Sequence, residues 1–417
     1  MRILALALGV PFPPVGGGLT RTFHLLRALS SHHQVTLTAF TYGEPHEDPP
    51  FDVAVEAVPW EWSHAYAEMT GDDPAAAERA YRRLTFEDDE PWFASVLNPA
   101  PMEEVLKRVL DPRPELVLLE GTPLARFVPA LPHGVPRVLD LFDVHSEMER
   151  RALEQSPAGE RQARAREAER TLVFERRAAQ SCDACLTVSE EDARLATTLL
   201  GATRVHVVPN GVDTSYFTPS SIQPEAGALL FTGRMGYEPN ADAACFFATQ
   251  ILPLIRQEIP YARLHIVGAA PPPRVAALAS DAVVVHGRVD DIRLHQWKAE
   301  VVVVPIRAGG GTRLKVLEAA ACGKGIVTTT LGAEGLAFRD GRDLLVADPP
   351  AAFAAAVIGL LRDPARRDLL GARARATASG YEWSAIGESL RRLVEHVAAG
   401  RFPASGLDPI PHDPTRR

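Results

Sequence analysis

The sequence predicts an α/β protein with two Rossmann-like, doubly wound halves. Two stretches, 2–40 and 301–330, carry this prediction. In each of them, an apolar run typical of a buried strand is followed by three consecutive glycines and then by apolar residues at helical spacing. The length of 417 residues agrees with it, because so long a chain is expected to form two or three domains.

The first half begins with a predicted strand at 2–10 and a glycine triplet, Gly16–Gly18, at the start of a helix. The predicted apolar face of that helix consists of Leu19, Phe23, Leu26 and Leu29. A second strand is predicted at 34–40. The stretch lacks the Gly-x-Gly-x-x-Gly fingerprint and the acidic residue of dinucleotide-binding domains, which argues against an NAD enzyme.

The next segment, 43–115, is predicted to be irregular because prolines recur along it without a clear period. It also contains an acidic run at 87–90 and three tryptophans, Trp60, Trp62 and Trp92. Exposed aromatic side chains beside polar loops suit stacking against a sugar or contact with a lipid-linked substrate. Helical packing with solvated charges is an equal alternative.

The rest of the first half contains buried strands predicted at 116–120, 138–142, 185–189 and 205–208. Arginines and glutamates alternate in near balance along the helical segment 147–180, which favours a solvated helix with i,i+4 ion pairs over a helix lying on a membrane. Cys182 and Cys185 have no further ligands at zinc spacing. They are predicted to be two buried thiols, with a redox pair as the alternative.

The second half repeats the alternation of strands and helices. Its strands are predicted at 228–232, 263–268, 282–286, 301–304, 326–330 and 344–346. A helix pair is predicted at 351–377, and Tyr381-Glu-Trp383 opens a last helix. A turn at Asn210-Gly211, with prolines at 219 and 224, indicates the spacer between the halves.

The chemistry concentrates in the stretch that starts with the all-valine strand 301–304. After its glycine triplet, Thr312 is predicted as the helix N-cap, and the first turn carries Arg313 and Lys315. Backbone N–H groups, the helix dipole and two cations therefore meet, as at a polyanion site. Glu318 can accept hydrogen bonds from a ribose diol, so a nucleoside diphosphate is the predicted ligand. A glycine turn with a surface Lys–Glu pair is the alternative.

The segment 309–336, GGGTRLKVLEAAACGKGIVTTTLGAEGL, resembles the donor-site segment of glycosyltransferase family 4. The resemblance implies the GT-B fold, with two Rossmann-like domains facing across a cleft and a C-terminal helix crossing back to the N-terminal domain. Much of the family has two glutamates separated by seven residues. Glu318 matches the second, and Gly310 stands at the first, as in a branch that acts on polysaccharide or glycolipid acceptors.

The same resemblance gives the domain limits, because Pro-Asn-Gly-Val-Asp at 209–213 is similar to the hinge between the two domains of this family. It implies an acceptor domain at 1–217 and a nucleotide-sugar donor domain at 218–380. A helix at 381–400 is expected to pack back on the N-terminal domain, followed by a loose tail at 401–417.

The resemblance also assigns roles to individual residues. It implies donor binding by Gly17, Gly18, Arg234, Gly287, Val289, Gly309, Gly310, Gly311, Thr312, Arg313, Lys315 and Glu318. Catalytic roles are implied for Arg234, Lys315, His145 and Asp143. The family's lysine a few residues after the phosphate-binding arginine is replaced at Pro239 or Asn240, so Lys315 is expected to supply the second cation.

The activity implied by the resemblance is a retaining, metal-independent hexosyltransferase of polysaccharide biosynthesis. Its donor would be a nucleotide-diphosphate sugar, and its acceptor a hydroxyl group of a glycan, a lipid-linked sugar or a small molecule. No cofactor and no metal are expected. Two alternatives keep the fold, namely a non-catalytic nucleotide-binding protein and a nucleotide-sugar 2-epimerase, although the epimerase motifs are not matched.

The net charge and the hydropathy of the sequence limit which partners and which cellular location are expected. The net charge of −9 argues against nucleic acid as a partner, because nucleic-acid-binding domains carry a basic face. The sequence contains no apolar run of the ~18 residues that a spanning helix needs. Residues 3–10 could be the apolar core of a short signal peptide, but a first strand is favoured. A cytoplasmic location is expected, with peripheral attachment at the inner membrane surface left open.

Overall fold

The chain folds into two compact units in the computed structural model, which describes residues 1–42 and 46–401. Unit 1 is Met1–Pro209 together with a segment that begins at Ser384, and unit 2 is Asn210–Trp383. The division falls eight residues before the boundary predicted at 217/218. The reason is that the Val212 N–H donates to the Tyr381 carbonyl (2.8 Å) and so ties the start of unit 2 to its end.

Unit 1 is built on a parallel sheet of seven strands in the order β3-β2-β1-β4-β5-β6-β7. The strands are β1 (Arg2–Ala7), β2 (Gln34–Thr41), β3 (Ala54–Pro59), β4 (Leu116–Glu120), β5 (Arg137–Asp140), β6 (Ala184–Thr187) and β7 (Val205–Val207). Strand β3 lies in the segment predicted to be irregular. It forms the sheet edge and buries only Val58, so it lacks the apolar run that marks the other strands.

Eight helices of unit 1 precede β7 in the described chain. They are α1 (Gly17–Ser30), α2 (His64–Met69), α3 (Pro74–Arg82), α4 (Trp92–Ser95), α5 (Ala100–Val109), α6 (His145–Gln155), α7 (Arg161–Gln180) and α8 (Glu190–Thr198), with a π-helical segment at Arg83–Glu87 and a 3-10 segment at Thr122–Ala130. The prediction of irregular structure over 43–115 is therefore wrong for α2–α5. The predicted helical segment 147–180 is two helices, and i,i+3 and i,i+4 pairs such as Arg150–Glu147 and Arg150–Glu154 lie along α6, as predicted.

Unit 2 has a six-stranded parallel sheet in the order β10-β9-β8-β11-β12-β13. Its strands are β8 (Ala228–Thr232), β9 (Arg263–Val267), β10 (Val283–Gly287), β11 (Val301–Val304), β12 (Gly325–Thr328) and β13 (Leu345–Val346). Its helices are α9 (Glu238–Phe246), α10 (Leu252–Glu258), α11 (Pro273–Ala276), α12 (Ile292–Lys298), α13 (Leu314–Ala321), α14 (Thr330–Ala333), α15 (Pro350–Arg362) and α16 (Pro364–Ala378), with a π-helical segment at Phe247–Ile251 and a 3-10 segment at Ser379–Tyr381. All four valines of β11 are fully buried, as their β-branched run predicted.

The last described helix, α17 (Trp383–Ala398), belongs to unit 1 from Ser384 onwards. It packs so closely on α1 that a Cβ atom added at Gly387 would lie 2.3 Å from the Ala28 Cβ. The His33 Nε2 lies 3.3 Å from the Glu395 Oε1 of this helix. The return of this helix to the first domain agrees with the fold predicted from the sequence. Of the predicted tail at 401–417, only residue 401 lies inside the described residues.

The order of strands reverses at one place in each sheet. In unit 1 the chain first builds outward from β1 to β3 and then returns to place β4 on the other side of β1. In unit 2 the corresponding place is between β8 and β11. Open α/β sheets bind ligands outside the carboxyl ends of the strands at such a switch point. The two glycine triplets follow β1 and β11, so both lie at these positions.

Two further sequence predictions concern the two cysteines of the Cys-x-x-Cys pair and membrane-spanning helices. Cys185 is buried and Cys182 half-buried, and burial raises the pKa of the Cys182 thiol to about 11, which disfavours the reactive thiolate of a redox pair. No helix in the described ranges is long and apolar enough to cross a membrane.

Candidate functional site

The glycine loop after β11 is held in conformations that require glycine. Gly309 has φ +103° and Gly311 φ +64°, both in the left-handed region. A Cβ added at Gly309 would lie 3.3 Å from the Tyr237 hydroxyl and 3.4 Å from the Pro239 ring, so the loop has little room for a side chain there. The loop therefore presents bare backbone at the carboxyl end of a central strand.

Helix α13 begins at Leu314, and Arg313 occupies the N-cap position. The prediction of Thr312 as N-cap is therefore wrong. The Thr312 hydroxyl instead accepts a hydrogen bond from the Asn210 side chain (2.9 Å), which ties the glycine loop to the first residue of unit 2. Arg313 is 91% buried, and its guanidinium donates to the carbonyls of Gly310 and Gly311, so it braces the loop from the inside.

Lys315 extends from the first turn of α13 into a desolvated position. Its Nζ donates to the Asn240 Oδ1 (2.6 Å) and lies 4.4 Å from the centroid of the Phe231 ring. Burial lowers the pKa of Lys315 to about 7, helped by the charge of Arg313 and opposed by Glu318. The ammonium group is therefore poorly compensated, as expected for a side chain that receives an anionic ligand.

Glu318 lies one turn further along α13. Burial raises the pKa of its carboxyl group to about 7, while the charge of Lys315 acts in the opposite direction. Lys315 and Glu318 consequently titrate in the same pH range, which a solvated surface pair would not do. This burial argues against the alternative of a surface Lys–Glu pair beside a glycine turn.

The turn after β8 approaches the same place. A Cβ added at Gly233 would lie 2.8 Å from both the Lys315 Nζ and the Asn240 Nδ2. One added at Gly268, at the end of β9, would lie 1.7 Å from the Gly233 carbonyl oxygen. The exposed side chain of Arg234 follows Gly233 directly. The structure thus brings together the turn that carries Arg234 and the start of α13, which carries Lys315.

Gly287 ends the outer strand β10, and Val289 lies two residues further along the chain. Gly287 has φ +69° and stands at a register shift in the pairing of β10 with β9. Its carbonyl accepts a hydrogen bond from the Gly268 N–H (2.8 Å), which joins this turn to the turns after β9 and β8. Val289 is half-buried and packs against the core of unit 2. Both residues therefore lie at the carboxyl edge of the sheet, two strands away from β8.

The predicted site residues of unit 1 lie where the chain passes from β1 into α1 and from β5 into α6. Helix α1 starts at Gly17 after Gly16 (φ +91°), and a Cβ at Gly18 would lie 3.5 Å from the Phe142 ring. Phe142 itself has φ +53°, a conformation that side chains other than glycine rarely adopt. The start of α1 therefore lies beside the β5–α6 loop, which carries Asp143 and leads into His145.

His145 is the first residue of α6, and Glu175 accepts hydrogen bonds from backbone N–H groups at the N-terminus of this helix. The buried Glu175 carboxylate accepts the backbone N–H groups of His145 (2.8 Å) and Ser146 (2.9 Å). Burial acts to lower the pKa of the imidazole, but Glu175 and Asp143 together raise it above the usual value. The ring is 30% exposed and packs on Phe93 at 5.3 Å, so it is held in place and remains accessible.

A buried polar cluster at the switch point of unit 1 was not predicted. The Arg21 guanidinium donates to both carboxylate oxygens of Asp140 (2.6 and 3.2 Å) and to the carbonyl of Pro209 (3.1 Å). Glu120 accepts from the Thr22 hydroxyl (3.2 Å), and burial together with the charge of Asp140 raises the pKa of Glu120 to about 8. Arg21 and Thr22 lie on the buried side of α1, where the sequence predicted Leu19 and Phe23, which are only half-buried.

Asn240 was noted in the sequence only as a replacement for a lysine. In the structure it is 91% buried and contacts both Lys315 and the Arg234 carbonyl. No local pattern could have indicated this contact, because 75 residues separate Asn240 from Lys315. Over 1–42 and 46–401, no three His, Cys, Asp or Glu side chains are grouped so that they could hold a metal ion.

Comparison with protein families gives two matches that together span most of the chain. The family described as Glycosyltransferase Family 4 matches residues 15–216, and that described as Glycosyl transferases group 1 matches residues 226–363. The first match lies in unit 1 for nearly all of its length. The second lies within unit 2 and includes Arg234, Lys315 and Glu318.

Curated relatives align over part of the chain. A D-inositol 3-phosphate glycosyltransferase of Kineococcus radiotolerans is 29% identical over 57% of this chain and 62% of its own length. A phosphatidyl-myo-inositol mannosyltransferase of Mycobacterium tuberculosis is 30% identical over 51% of this chain and 59% of its own length. The chain thus matches less than two thirds of the length of these relatives.

Solved structures resemble this chain over almost its whole length. Sucrose-phosphate synthase from Thermosynechococcus elongatus superposes with a TM-score of 0.72 at 18% identity, covering 96% of this chain and 100% of that one. Anabaena HepE, solved in complex with UDP and glucose, superposes with a TM-score of 0.65 at 14% identity, covering 95% of this chain and 99% of that one. At such low identity these similarities establish the fold.

Proposed function

The chain belongs to glycosyltransferase family 4, and from this membership we propose that it transfers a glycosyl group from a nucleotide-diphosphate sugar to a hydroxyl group. The observation that carries the proposal is the meeting of a bare glycine loop, Lys315 and Glu318 at the switch point of unit 2. This combination offers donors to a diphosphate and, one helical turn away, an acceptor to a ribose.

Transfer requires breakage of the bond between the anomeric carbon and the diphosphate oxygen, through an oxocarbenium-like state. Negative charge builds on the departing diphosphate as that bond lengthens. Lys315, Arg234 and the backbone N–H groups of the glycine loop would stabilise this charge, each preorganised donor by about 3 kcal/mol. Arg313 holds the loop in the conformation that presents those N–H groups.

Glu318 would accept hydrogen bonds from the two ribose hydroxyls. It does so best as the ionised carboxylate, which accepts hydrogen bonds only. Because burial raises its pKa to about 7, binding of a ribose would favour loss of the Glu318 proton. Backbone groups of the turn at Gly287 and Val289 are the proposed contacts of the nucleobase.

The proposed reaction needs no metal, because the protein itself supplies the positive charge that faces the diphosphate. Arg234 and Lys315 come from separate turns of unit 2, and the N-terminus of α13 adds its dipole. Retention of the anomeric configuration is proposed from family membership. It would proceed by attack on the same face of the sugar, assisted by the departing phosphate.

The acceptor is proposed to bind to unit 1, beside His145 and Asp143. Relatives of this chain are named for inositol phosphate and phosphatidyl-myo-inositol, and HepE was solved with glucose. A sugar or polyol hydroxyl, free or on a lipid, is therefore the proposed acceptor class. The stacked rings of Trp62 and Tyr66 (4.3 Å), with Trp62 49% exposed, suit such a ligand. A place in polysaccharide biosynthesis, in the cytoplasm or at the inner membrane surface, is part of the proposal.

The donor site is tested by titrating the protein with UDP, GDP, ADP and dTDP in EDTA while thermal unfolding is followed. A nucleotide at a hundred times its dissociation constant should add about 2.7 kcal/mol to the free energy of unfolding. Glu318→Ala should lose that gain. Glu258→Gln, which removes a surface ion pair with Arg362 elsewhere in unit 2, should keep it. Stabilisation that appears only after magnesium is added would overturn the metal-free site.

Turnover distinguishes the transferase from its two alternatives. Release of nucleoside diphosphate from a matching nucleotide sugar should depend on a hydroxyl acceptor. A 2-epimerase would act on the donor without an acceptor, and a non-catalytic protein would bind the nucleotide without releasing product. The glycine at position 310, where much of the family has a glutamate, is what makes the non-catalytic alternative worth this test.

A further inference from the structure

Asn240 links the two turns of unit 2 that carry the candidate cations. Its Oδ1 accepts a hydrogen bond from the Lys315 Nζ (2.6 Å), and its Nδ2 donates to the carbonyl oxygen of Arg234 (3.0 Å). The residue is 91% buried, on the first turn of α9. Both ends of the amide are therefore engaged, and its orientation is fixed by its partners.

The surroundings leave the Lys315 ammonium group little freedom. The Phe231 ring lies 4.4 Å from Nζ, and Gly233 is so near that an added Cβ would stand 2.8 Å from it. The charged groups that act on Lys315 are Arg313 and Glu318, both on its own segment. Among these contacts, the 2.6 Å hydrogen bond to Asn240 is the one with the directional geometry to set the position of Nζ.

We propose that Asn240 is a positioning residue, which holds the Lys315 ammonium group beside Gly233 so that its remaining N–H donors meet the donor's diphosphate. An ammonium group has three donors, and the bond to Asn240 uses one of them. The other two remain for phosphate oxygens. This inference rests on the proposed function, because it assumes that a diphosphate binds at the turns after β8 and β11.

The chemistry of an amide fits this role better than that of a charged side chain. A carboxylate at position 240 would neutralise Lys315 and compete with the phosphate, and a cation would repel it. The neutral amide orients the ammonium group and leaves its charge uncompensated. Burial, which lowers the pKa of Lys315 to about 7, then makes the affinity for a diphosphate fall as the pH rises above 7.

The experiment measures the dissociation constant of UDP, or of whichever of GDP, ADP and dTDP binds, by calorimetry in EDTA between pH 5.5 and 9. Asn240→Ala should weaken binding about tenfold at pH 7, because it frees the ammonium group from its fixed position. Asn240→Asp keeps the oxygen that accepts from Nζ but adds a charge. It should weaken binding at pH 7 and move the loss of affinity at alkaline pH upward by about one pH unit or more. Glu258→Gln serves as the matched control in unit 2 and should leave both quantities as in the wild type.

The outcomes separate this inference from the proposed function. Wild-type affinity in Asn240→Ala, or an unshifted alkaline limb in Asn240→Asp, overturns the role of Asn240 while the donor site stands. If Asn240→Ala does not fold, the test rests on the near-isosteric Asn240→Asp, and on whether its loss of affinity at alkaline pH is shifted. If none of the four nucleotides binds the wild type, the proposed function fails and the role of Asn240 fails with it.

Discussion

Ionisable side chains that are fully or partly buried gather near the carboxyl ends of the central strands. Glu120 and Asp140 end β4 and β5 in unit 1, and Lys315 and Glu318 follow β11 in unit 2. Burial removes water from each of these groups and so raises the free energy of its charged form. Such groups therefore destabilise a core, and they are uncommon where stability is the only requirement. Their position at the two switch points is typical of residues kept for binding or chemistry.

Nucleotide affinity should depend on pH with a maximum near 7. In the proposed donor site, Lys315 must be charged to meet the diphosphate and Glu318 ionised to meet the ribose, and each has a pKa of about 7. Affinity should therefore fall at alkaline pH as Lys315 loses its proton and at acid pH as Glu318 gains one. Calorimetric titration from pH 5.5 to 9 measures this.

The variant Glu318→Gln isolates the two limbs of that profile. It should bind more weakly and lose the acid limb that Glu318 causes. The alkaline limb that Lys315 causes should remain but lie at lower pH, because the charge of Glu318 no longer raises the pKa of Lys315. Titration of the nucleotide's own phosphate is common to both proteins and cancels in the comparison. An acid limb as steep as that of the wild type would show that Glu318 does not contact the ligand.

Glu120→Gln should stabilise the protein increasingly as the pH rises from 5 to 8. The pKa of Glu120 is raised to about 8, so the folded protein keeps a proton that the unfolded chain loses above its ordinary pKa of 4.5. Stability therefore decreases between these values, by up to about 1.4 kcal/mol per pH unit, and glutamine removes that loss. Urea unfolding at several pH values measures it.

The exposed Glu78, on α3, provides the control for this measurement. Glu78→Gln should follow the pH dependence of the wild type throughout. If Glu120→Gln also followed the wild type, the buried carboxyl group at position 120 would not be the proton-binding group.

The sequence predicted the site where its residues are close together in the chain. It missed contacts between residues that are far apart in the chain. The glycine loop, Lys315 and Glu318 lie within ten residues of one another, so spacing alone predicted that they lie together. Arg21 reaches Asp140 across 119 residues and Asn240 reaches Lys315 across 75. Those contacts depend on strand order, which local spacing does not contain.

Elements were predicted well where they are buried and poorly where they are not. Strands β4, β8 and β11 have the predicted limits, and each is buried along its whole length. The half-exposed strand β3 and the short helices α2–α5 have no continuous apolar pattern, so the segment that contains them was predicted to be irregular. A sheet edge gives a weaker signal than a sheet centre because one flank of the strand faces solvent.

Two helical glycines should respond in opposite ways to alanine. In Gly387→Ala the new Cβ would lie 2.3 Å from Ala28, so α17 and α1 must move apart, at a cost of about 1–3 kcal/mol. In Gly359→Ala, on α15, the Cβ meets no atom of the described residues within 4 Å, and the variant should gain about 0.5–1 kcal/mol from helix propensity. Urea unfolding of both variants measures this, and equal effects would contradict the close packing of α17.

Unit 1 consists of both ends of the described chain, with unit 2 inserted between them. A protein that ends at Trp383 lacks α17 and therefore the buried side chains Ile386, Leu390, Leu393, Val394 and Val397. Each contributes about 1.5–3 kcal/mol, so their sum is comparable with the stability of an ordinary domain. Unit 1 should then be cleaved rapidly in limited proteolysis, while nucleotide still stabilises unit 2. Resistance of unit 1 equal to that of the longer chain would contradict this.

The return of the last helix to the first unit also sets the order in which the protein can mature on the ribosome. About 190 residues separate Pro209 from the end of α17, and at ~5–20 residues per second their synthesis takes roughly 10–40 seconds. During that interval the side of α1 that α17 will cover is bare and open to chaperones, while unit 2 emerges complete. The domain that is made first is thus the one that finishes folding last.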